Sequence, residues 1–131
     1  MNEAQQAWLD ELRSGRHTKC TGSLRKTSPN GDDRYCALGL ANVSLGGEWE
    51  LFDAPSDGSI IWKAANTNTI EDDHFLPNEF IDALGLDYES EKRVYRINDA
   101  LIEDLEDETR TFEEIADILE AFFNGDPLPD L

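Results

Sequence analysis

The segment from 111 to 123 has a pattern that only one kind of secondary structure satisfies. Its apolar side chains recur at three- and four-residue spacing, as on one face of an amphipathic helix. Thr111 is placed to cap this helix, and Glu114 to complete a capping box. A helix with an apolar stripe must bury that stripe against other elements, so a packed domain is predicted. The stripe consists of Phe112, Ile115, Ile118, Leu119, Phe122 and Phe123.

Residues 3–14 predict a second amphipathic helix, which carries Trp8 and Leu12 on its apolar stripe and ends at Gly15. The turn sequence Pro-Asn-Gly-Asp at 29–32 predicts a hairpin between strands over 23–27 and 34–37. Alternating segments at 48–52 and 59–64 predict a second hairpin, which extends the same sheet.

The remaining segments predict shorter elements. Residues 38–45 favour a short helix that stops at two glycines, with a buried strand as the alternative, and residues 75–86 favour a helix that ends at Gly85. Residues 91–97 suggest one more strand, followed by helical turns that begin at Asn98 or Asp99. We therefore predict a single α+β domain over 1–131, with three to four helices packed on a small antiparallel sheet and a short polar tail from about 125.

Composition supports a folded protein outside the membrane. Hydrophobic residues make up 39% of the 131 residues, which is enough for a core. The sequence has no run of eighteen apolar residues and no signal-peptide pattern, so we expect a cytoplasmic protein. Cys20 and Cys36 are then expected as free thiols, although an oxidising compartment would allow a disulfide between them. Their spacing does not support a zinc site.

The charge of the chain is unevenly distributed. The net charge is −18, and residues 1–40 carry six basic and five acidic side chains, whereas residues 41–131 carry five basic and twenty-four acidic ones. A surface of this kind repels nucleic acid and anionic membranes, and it attracts basic protein surfaces, including those that hold nucleic acid. The charge therefore bears on the choice of partner rather than on the fold.

Several short motifs share their order and spacing with a group of small proteins encoded by tailed phages and prophages. They are "WLDELRSGRHTKCTGSLRK" at 8–26, "RYCALGLA" at 34–41, "LPNEFIDALGL" at 76–86, "IND" at 97–99 and "TFEEIADILE" at 111–120, which contains "FEEIA". The chain resembles this group over about residues 8–121. It departs from the group at Cys36-Ala37, where two adjacent cysteines are typical. The resemblance implies a phage origin and a compact α+β domain, and it implies no catalytic residue.

The candidates for catalysis are few. A thiol nucleophile needs a neighbouring base, and Cys36 could use only His17 or His74. We expect Cys36 to be a small buried residue and both histidines to be exposed, because free cysteine is among the most buried residue types. The cluster from Glu71 to His74 has oxygen and nitrogen ligands, but its spacing matches neither a calcium loop nor a zinc helix. No metal and no cofactor are predicted.

Six basic side chains form the positively charged part of the sequence, and we expect them to pair with the acidic C-terminal half, within one molecule or between copies. Each such surface pair would contribute about 0–1 kcal/mol. The six residues are Arg13, Arg16, Lys19, Arg25, Lys26 and Arg34.

The acidic half allows three interpretations. The acids can serve solubility, in keeping with a chain that has four lysines. They can imitate the phosphates of a nucleic acid and occupy a basic host surface. They can also be irrelevant to a partner that binds an apolar patch. We favour a phage accessory protein of the anti-restriction or anti-CRISPR kind, a DNA mimic that inhibits a host nucleic-acid-handling complex. The alternatives are binding through an apolar patch and a small hydrolase that uses Cys36.

The hypothesis assigns partner binding to nine acids on either side of Arg110, and it leaves a homodimer open. These residues are Glu103, Asp104, Glu106, Asp107, Glu108, Glu113, Glu114, Asp117 and Glu120.

Overall fold

The computed structural model describes residues 1–67, 75–102 and 105–129, with the backbone alone at 101–102 and 105–108. Within these residues the helices are α1 (Glu3–Arg13), α2 (Ala37–Ser44), α3 (Asn78–Leu84), α4 (Tyr88–Asp99) and α5 (Phe112–Phe123). The strands are β1 (Thr18–Lys19), β2 (Arg25–Thr27), β3 (Asp33–Tyr35), β4 (Trp49–Asp53), β5 (Ile60–Ala64), β6 (Leu101–Ile102) and β7 (Leu105–Thr109). The predicted α+β class is confirmed, with five helices in place of three or four.

Both terminal helices begin with a capping box. In α5 the side chain of Thr111 accepts from the backbone N–H of Glu114, whose carboxylate accepts in return from Thr111, as predicted. Helix α1 packs against both α2 and α5. Trp8 of α1 is fully buried, and its indole N–H donates to the carbonyl of Ala37 at 2.8 Å. The two apolar stripes therefore supply much of the core, which Leu128 also joins near the C-terminal end.

The strands β1 to β5 form one sheet in the order β1-β3-β2-β5-β4. The hairpins β2–β3 and β4–β5 are antiparallel, and β5 pairs with β2, so the second hairpin extends the first as predicted. The prediction of an antiparallel sheet was wrong at one edge, because β1 pairs in parallel with β3. A two-residue strand is too short to show any periodicity in the sequence.

The segment at 91–97 is helical, and the predicted strand there was wrong. Asp87 caps α4, because its carboxylate accepts from the backbone N–H of Ser90 at 2.8 Å. Val94 and Ile97 follow at helical spacing and are buried. The seven residues of this segment are too few to distinguish the two-residue period of a strand from the period of a helix. The capping residue Asp87, which marks the start of a helix, lies before the segment.

Asn98 and Asp99 consequently end a helix rather than begin one, so the helical turns predicted from them were also wrong. The chain turns extended at Ala100, which has a φ of −68° and a ψ of 136°, and continues into the two-stranded sheet of β6 and β7. Asn98 and Asp99 are therefore the last two residues of α4, and both side chains form hydrogen bonds within the fold.

The structure shifts one predicted boundary and confirms another. Strand β3 stops at Tyr35, because Cys36 adopts the extended N-cap conformation and α2 begins at the next residue. Helix α3 ends at Gly85, whose φ of +70° belongs to the left-handed region that glycine favours. In the described part of the chain, none of the helices has the length and apolar character needed to cross a membrane.

Candidate functional site

The motif "IND" at the end of α4 forms a buried polar junction. The side-chain oxygen of Asn98 accepts from the backbone N–H of Ala37 at 3.0 Å, and its amide nitrogen donates to the carbonyl of Cys20 at 3.0 Å. The carboxylate of Asp99 accepts from the Asn98 amide at 2.8 Å and from the backbone N–H of Gly22 at 3.1 Å. These bonds hold the start of α2 and the loop before β2 against the end of α4.

The Cys-x-Leu-Gly motif belongs to the same junction. The Sγ of Cys36 accepts from the backbone N–H of Gly39 at 3.4 Å, and the Cys36 N–H donates to the carbonyl of Leu24 at 3.1 Å. A Cβ at Gly39 would lie 1.9 Å from that carbonyl oxygen. The glycine is therefore required by close backbone contact, and the cysteine caps a helix.

Both cysteines are free thiols, and their surroundings keep them protonated. Cys36 is fully buried, as predicted, and burial raises the pKa of its thiol far above the usual range. Burial also raises the pKa of Cys20 to about 11. A reactive cysteine needs a lowered pKa and access to its substrate. The observed contacts give Cys36 a structural role and favour no nucleophilic one.

His17 is half-buried, so the expectation of an exposed side chain was wrong. Its Nε2 lies 3.0 Å from a carboxylate oxygen of Glu11, and its ring meets the ring of Tyr35 edge-on at 5.3 Å. These contacts come from α1 and β3, which flank the short strand that follows His17. The cluster from Glu71 to His74 lies outside the described residues.

Four of the nine predicted partner-binding acids have described side chains, and all four lie on α5. Glu113, Glu114 and Asp117 are exposed, and Glu120 is partly exposed. Glu114 also caps its helix, and its bonds to Thr111 lower the pKa of its carboxyl group. Glu103 and Asp104 lie outside the described residues, and Glu106, Asp107 and Glu108 lie on β7, where the backbone alone is described.

Arg13 joins the acidic face of α5 to α1. Its guanidinium donates to Asp117 at 2.8 Å and to Glu120 at 3.0 Å, and both bonds raise the pKa of the arginine. The predicted pairing of the basic cluster with the acidic half is therefore confirmed for this residue. Asp117 and Glu120 consequently have a partner inside the fold, which their sequence positions alone did not indicate.

Arg16 and Lys19 of the basic cluster have partners other than the acids of α5. Arg16 pairs with Glu11 of its own half, which the predicted pairing with the C-terminal half did not include. Lys19 donates to the carbonyl of Asn98 and to the hydroxyl of Thr109. Its burial lowers the pKa of its ammonium group. The cluster therefore does not act as one patch.

Arg25 is enclosed on one face of the sheet. Its guanidinium forms two bonds of 3.1 Å with the carboxylate of Asp33 and lies 4.7 to 5.9 Å from the centres of three aromatic rings. The rings belong to Tyr35, Trp49 and Trp62. Such contacts fix the arginine as part of the sheet. Composition gave no indication of this arrangement, although Arg25, Tyr35 and Trp62 are cross-strand neighbours in the observed register.

Comparison of the chain with protein families, with characterised proteins and with solved structures finds no match.

Proposed function

We propose that this protein is an accessory protein of the tailed-phage type, which binds a basic, nucleic-acid-handling protein of the host and inhibits it. The acidic face of α5, defined as Glu113, Glu114, Asp117 and Glu120, would occupy the surface that otherwise holds nucleic acid. The observation that carries the proposal is the exposure of these carboxylates in a chain of net charge −18.

The spacing of the acids suits this role. Glu113, Asp117 and Glu120 are separated by about 6 and 4.5 Å along the axis of a regular helix. Successive charges on one DNA strand are about 3.4 Å apart along the duplex axis. The carboxylates thus repeat on the same length scale as phosphates. Arg13 offsets one of the four charges and holds Asp117 and Glu120 in place, which reduces the entropy that they lose on binding.

The test replaces carboxylates of this face by amides, which remove the negative charge but can still accept hydrogen bonds from Arg13. The variant is E113Q/D117N/E120Q, which removes three negative charges. The matched control E3Q/E79Q/D82N removes three exposed acids from α1 and α3 and reaches the same net charge. Each protein is immobilised and exposed at low salt to nuclease-treated host lysate, and captured proteins are eluted with a salt gradient and challenged with duplex DNA.

We expect the wild type and the control to retain the same basic protein, which DNA displaces, and we expect the α5 variant to lose most of it. Association of this kind is steered by charge and weakens as salt rises. Equal capture by the α5 variant, or capture with which DNA does not compete, would contradict the proposal.

A second candidate is binding through an apolar patch on β4, and one observation favours it. β4 is an edge strand, and its Leu51 and Phe52 are 60% and 36% exposed. Exposed apolar side chains on an edge strand invite pairing with another strand. In the same capture experiment, this mode would be insensitive to salt and would be lost in L51T/F52T. Salt-sensitive capture that survives L51T/F52T would contradict it.

A further inference from the structure

The face of the sheet opposite Arg25 carries two basic side chains side by side. Lys26 of β2 and Arg34 of β3 are register partners, whereas Arg25 pairs with Tyr35 one residue away. Because side chains alternate between the two faces of a sheet, Lys26 and Arg34 share the face that Arg25 does not use. Ile61 of β5 is the partner of Lys26 on its other side, so the three form one row across the sheet.

These two cations lack the carboxylate partners that other arginines of the cluster have. Arg13, Arg16 and Arg25 each pair with an acid, but within the described ranges neither Lys26 nor Arg34 forms an ion pair. Like charges directly opposite each other destabilise a pair of strands. A chain with 29 acidic residues nevertheless places this pair in register. An anion bound between them would offset the repulsion.

Two turns wall a pocket above this row. Pro29 comes from the turn between β2 and β3, and Pro55 from the turn between β4 and β5, and the pocket between them has a volume of about 420 Å³. The turns meet at Gly58, where an added Cβ would lie 3.4 Å from Pro29. Lys26, Arg34 and Ile61 also line the pocket. Cations and an apolar wall thus share one cavity, whose size suits a small organic molecule.

Asp57 gives the pocket a hydrogen-bond acceptor. Its Oδ1 accepts from the backbone N–H of Ser59 at 2.9 Å and from the Ser59 hydroxyl at 2.6 Å, and these bonds lower the pKa of the carboxyl group. The Asp57 carboxylate is thus held ionised, and a ligand that places an N–H group near it would be favoured over a simple anion. The required ligand carries an anionic group at one end and a flat or apolar body with a donor at the other.

We propose that this pocket binds a phosphate monoester with a planar organic body, of the size of a mononucleotide. Arg34 contacts the phosphate through its planar guanidinium, in the manner of other phosphate sites, and Lys26 adds its positive charge from the side of Gly22, where its ammonium lies 3.6 Å from the position of an added Cβ. The planar body lies against Pro29, Pro55 and Ile61. The site is independent of the acidic face of α5 and of the partner proposed for it.

The test is a titration of the ¹⁵N-labelled chain, followed through its amide chemical shifts. Adenosine 5′-monophosphate, inorganic phosphate and adenosine serve as probes, at constant ionic strength. We expect saturable shifts confined to β2, β3 and the two turns with the monophosphate. Inorganic phosphate should bind at least tenfold more weakly and adenosine not measurably. Equal affinity for phosphate and the monophosphate would overturn the assignment of the apolar wall.

Three single variants distinguish binding in this pocket from nonspecific attraction of the phosphate to basic side chains. K26M and R34Q should each weaken the monophosphate at least tenfold, whereas R16Q, which removes an exposed arginine outside the pocket, should leave it unchanged. The double variant K26M/R34Q should melt no lower than the wild type, since it relieves a like-charge contact, so lost binding would not reflect unfolding. Equal weakening by R16Q, or shifts spread over other elements, would overturn the proposal.

Discussion

The junction around Asn98 and the acidic face of α5 are both polar, but the chain uses them differently. At the junction every polar group of the Asn98 side chain meets a partner in the fold, and that side chain is fully buried. On α5 the carboxylates of Glu113 and Asp117 face solvent. Asn98 of the motif "IND" and Cys36 and Gly39 of the motif Cys-x-Leu-Gly thus serve the fold. The exposed acids of α5 include Glu113 and Glu114 of the motif "FEEIA", and apart from the cap that Glu114 completes, their charge is what distinguishes them.

The largest loss of stability is expected from a substitution at Gly39, on the junction side of this comparison. The substitution Gly39→Ala places a methyl group 1.9 Å from the carbonyl oxygen of Leu24, so backbone must move. We expect a loss of about 3 kcal/mol in the free energy of unfolding, at the upper end of overpacking effects, measured by urea denaturation.

The control is Gly46→Ala, which meets no atom within 4 Å but has a φ of +72°. Its free energy of unfolding should fall by about 1 kcal/mol, because alanine is strained in the left-handed region. Because alanine is a better helix former than glycine, Gly39→Ala would stabilise α2 if space existed. A loss no larger than that of the control would show that the junction does not need close contact there.

The next largest effect is expected at Asn98. The substitution Asn98→Ala leaves the backbone N–H of Ala37 and the carbonyl of Cys20 without their side-chain partner. An unpaired buried polar group costs about 1–3 kcal/mol, so we expect a loss of about 2 kcal/mol after partial relaxation.

Urea denaturation checks this loss against Asn124→Ala, which alters an exposed residue at the end of α5 and should change stability by less than about 0.5 kcal/mol. If the two alanine variants were equally stable, the junction would be no more structural than the surface of α5, and the comparison would fail.

The extent to which the sequence predicted these regions follows from the range of the interactions involved. The helices α1 and α5 were found because their stripes and caps lie within a dozen residues. The junction was not found, because Asn98 meets Ala37 and Cys20 across 61 and 78 positions of the chain. The motif "IND" was visible, yet it was assigned to the start of a helix since an asparagine suits either end.

The charged surface was predicted in kind but not in detail. The excess of acid after residue 41 indicated that a basic residue would pair with it, and Arg13 does so. Which base would pair could not be read from composition, because it depends on how α1 crosses α5. Arg25 and Lys26 are neighbours of the same type, and only the direction of each side chain in the sheet sends one into an aromatic enclosure and the other into a pocket.

The smallest effect is expected at Arg13 of α1, which pairs with the acidic face of α5. A double-mutant cycle with Arg13→Gln and Asp117→Asn should give a coupling energy of about 0.2–1 kcal/mol, because Asp117 is exposed and Arg13 is partly exposed to solvent. The coupling should fall when urea denaturation is repeated at high salt. A parallel cycle with Glu113→Gln, whose carboxylate makes no ion pair with Arg13 in the described structure, should give a coupling near zero. A coupling energy of several kcal/mol between Arg13 and Asp117 would show that Asp117 stabilises the fold as Asn98 does. Glu113 would then be the acid at which partner binding should be tested first.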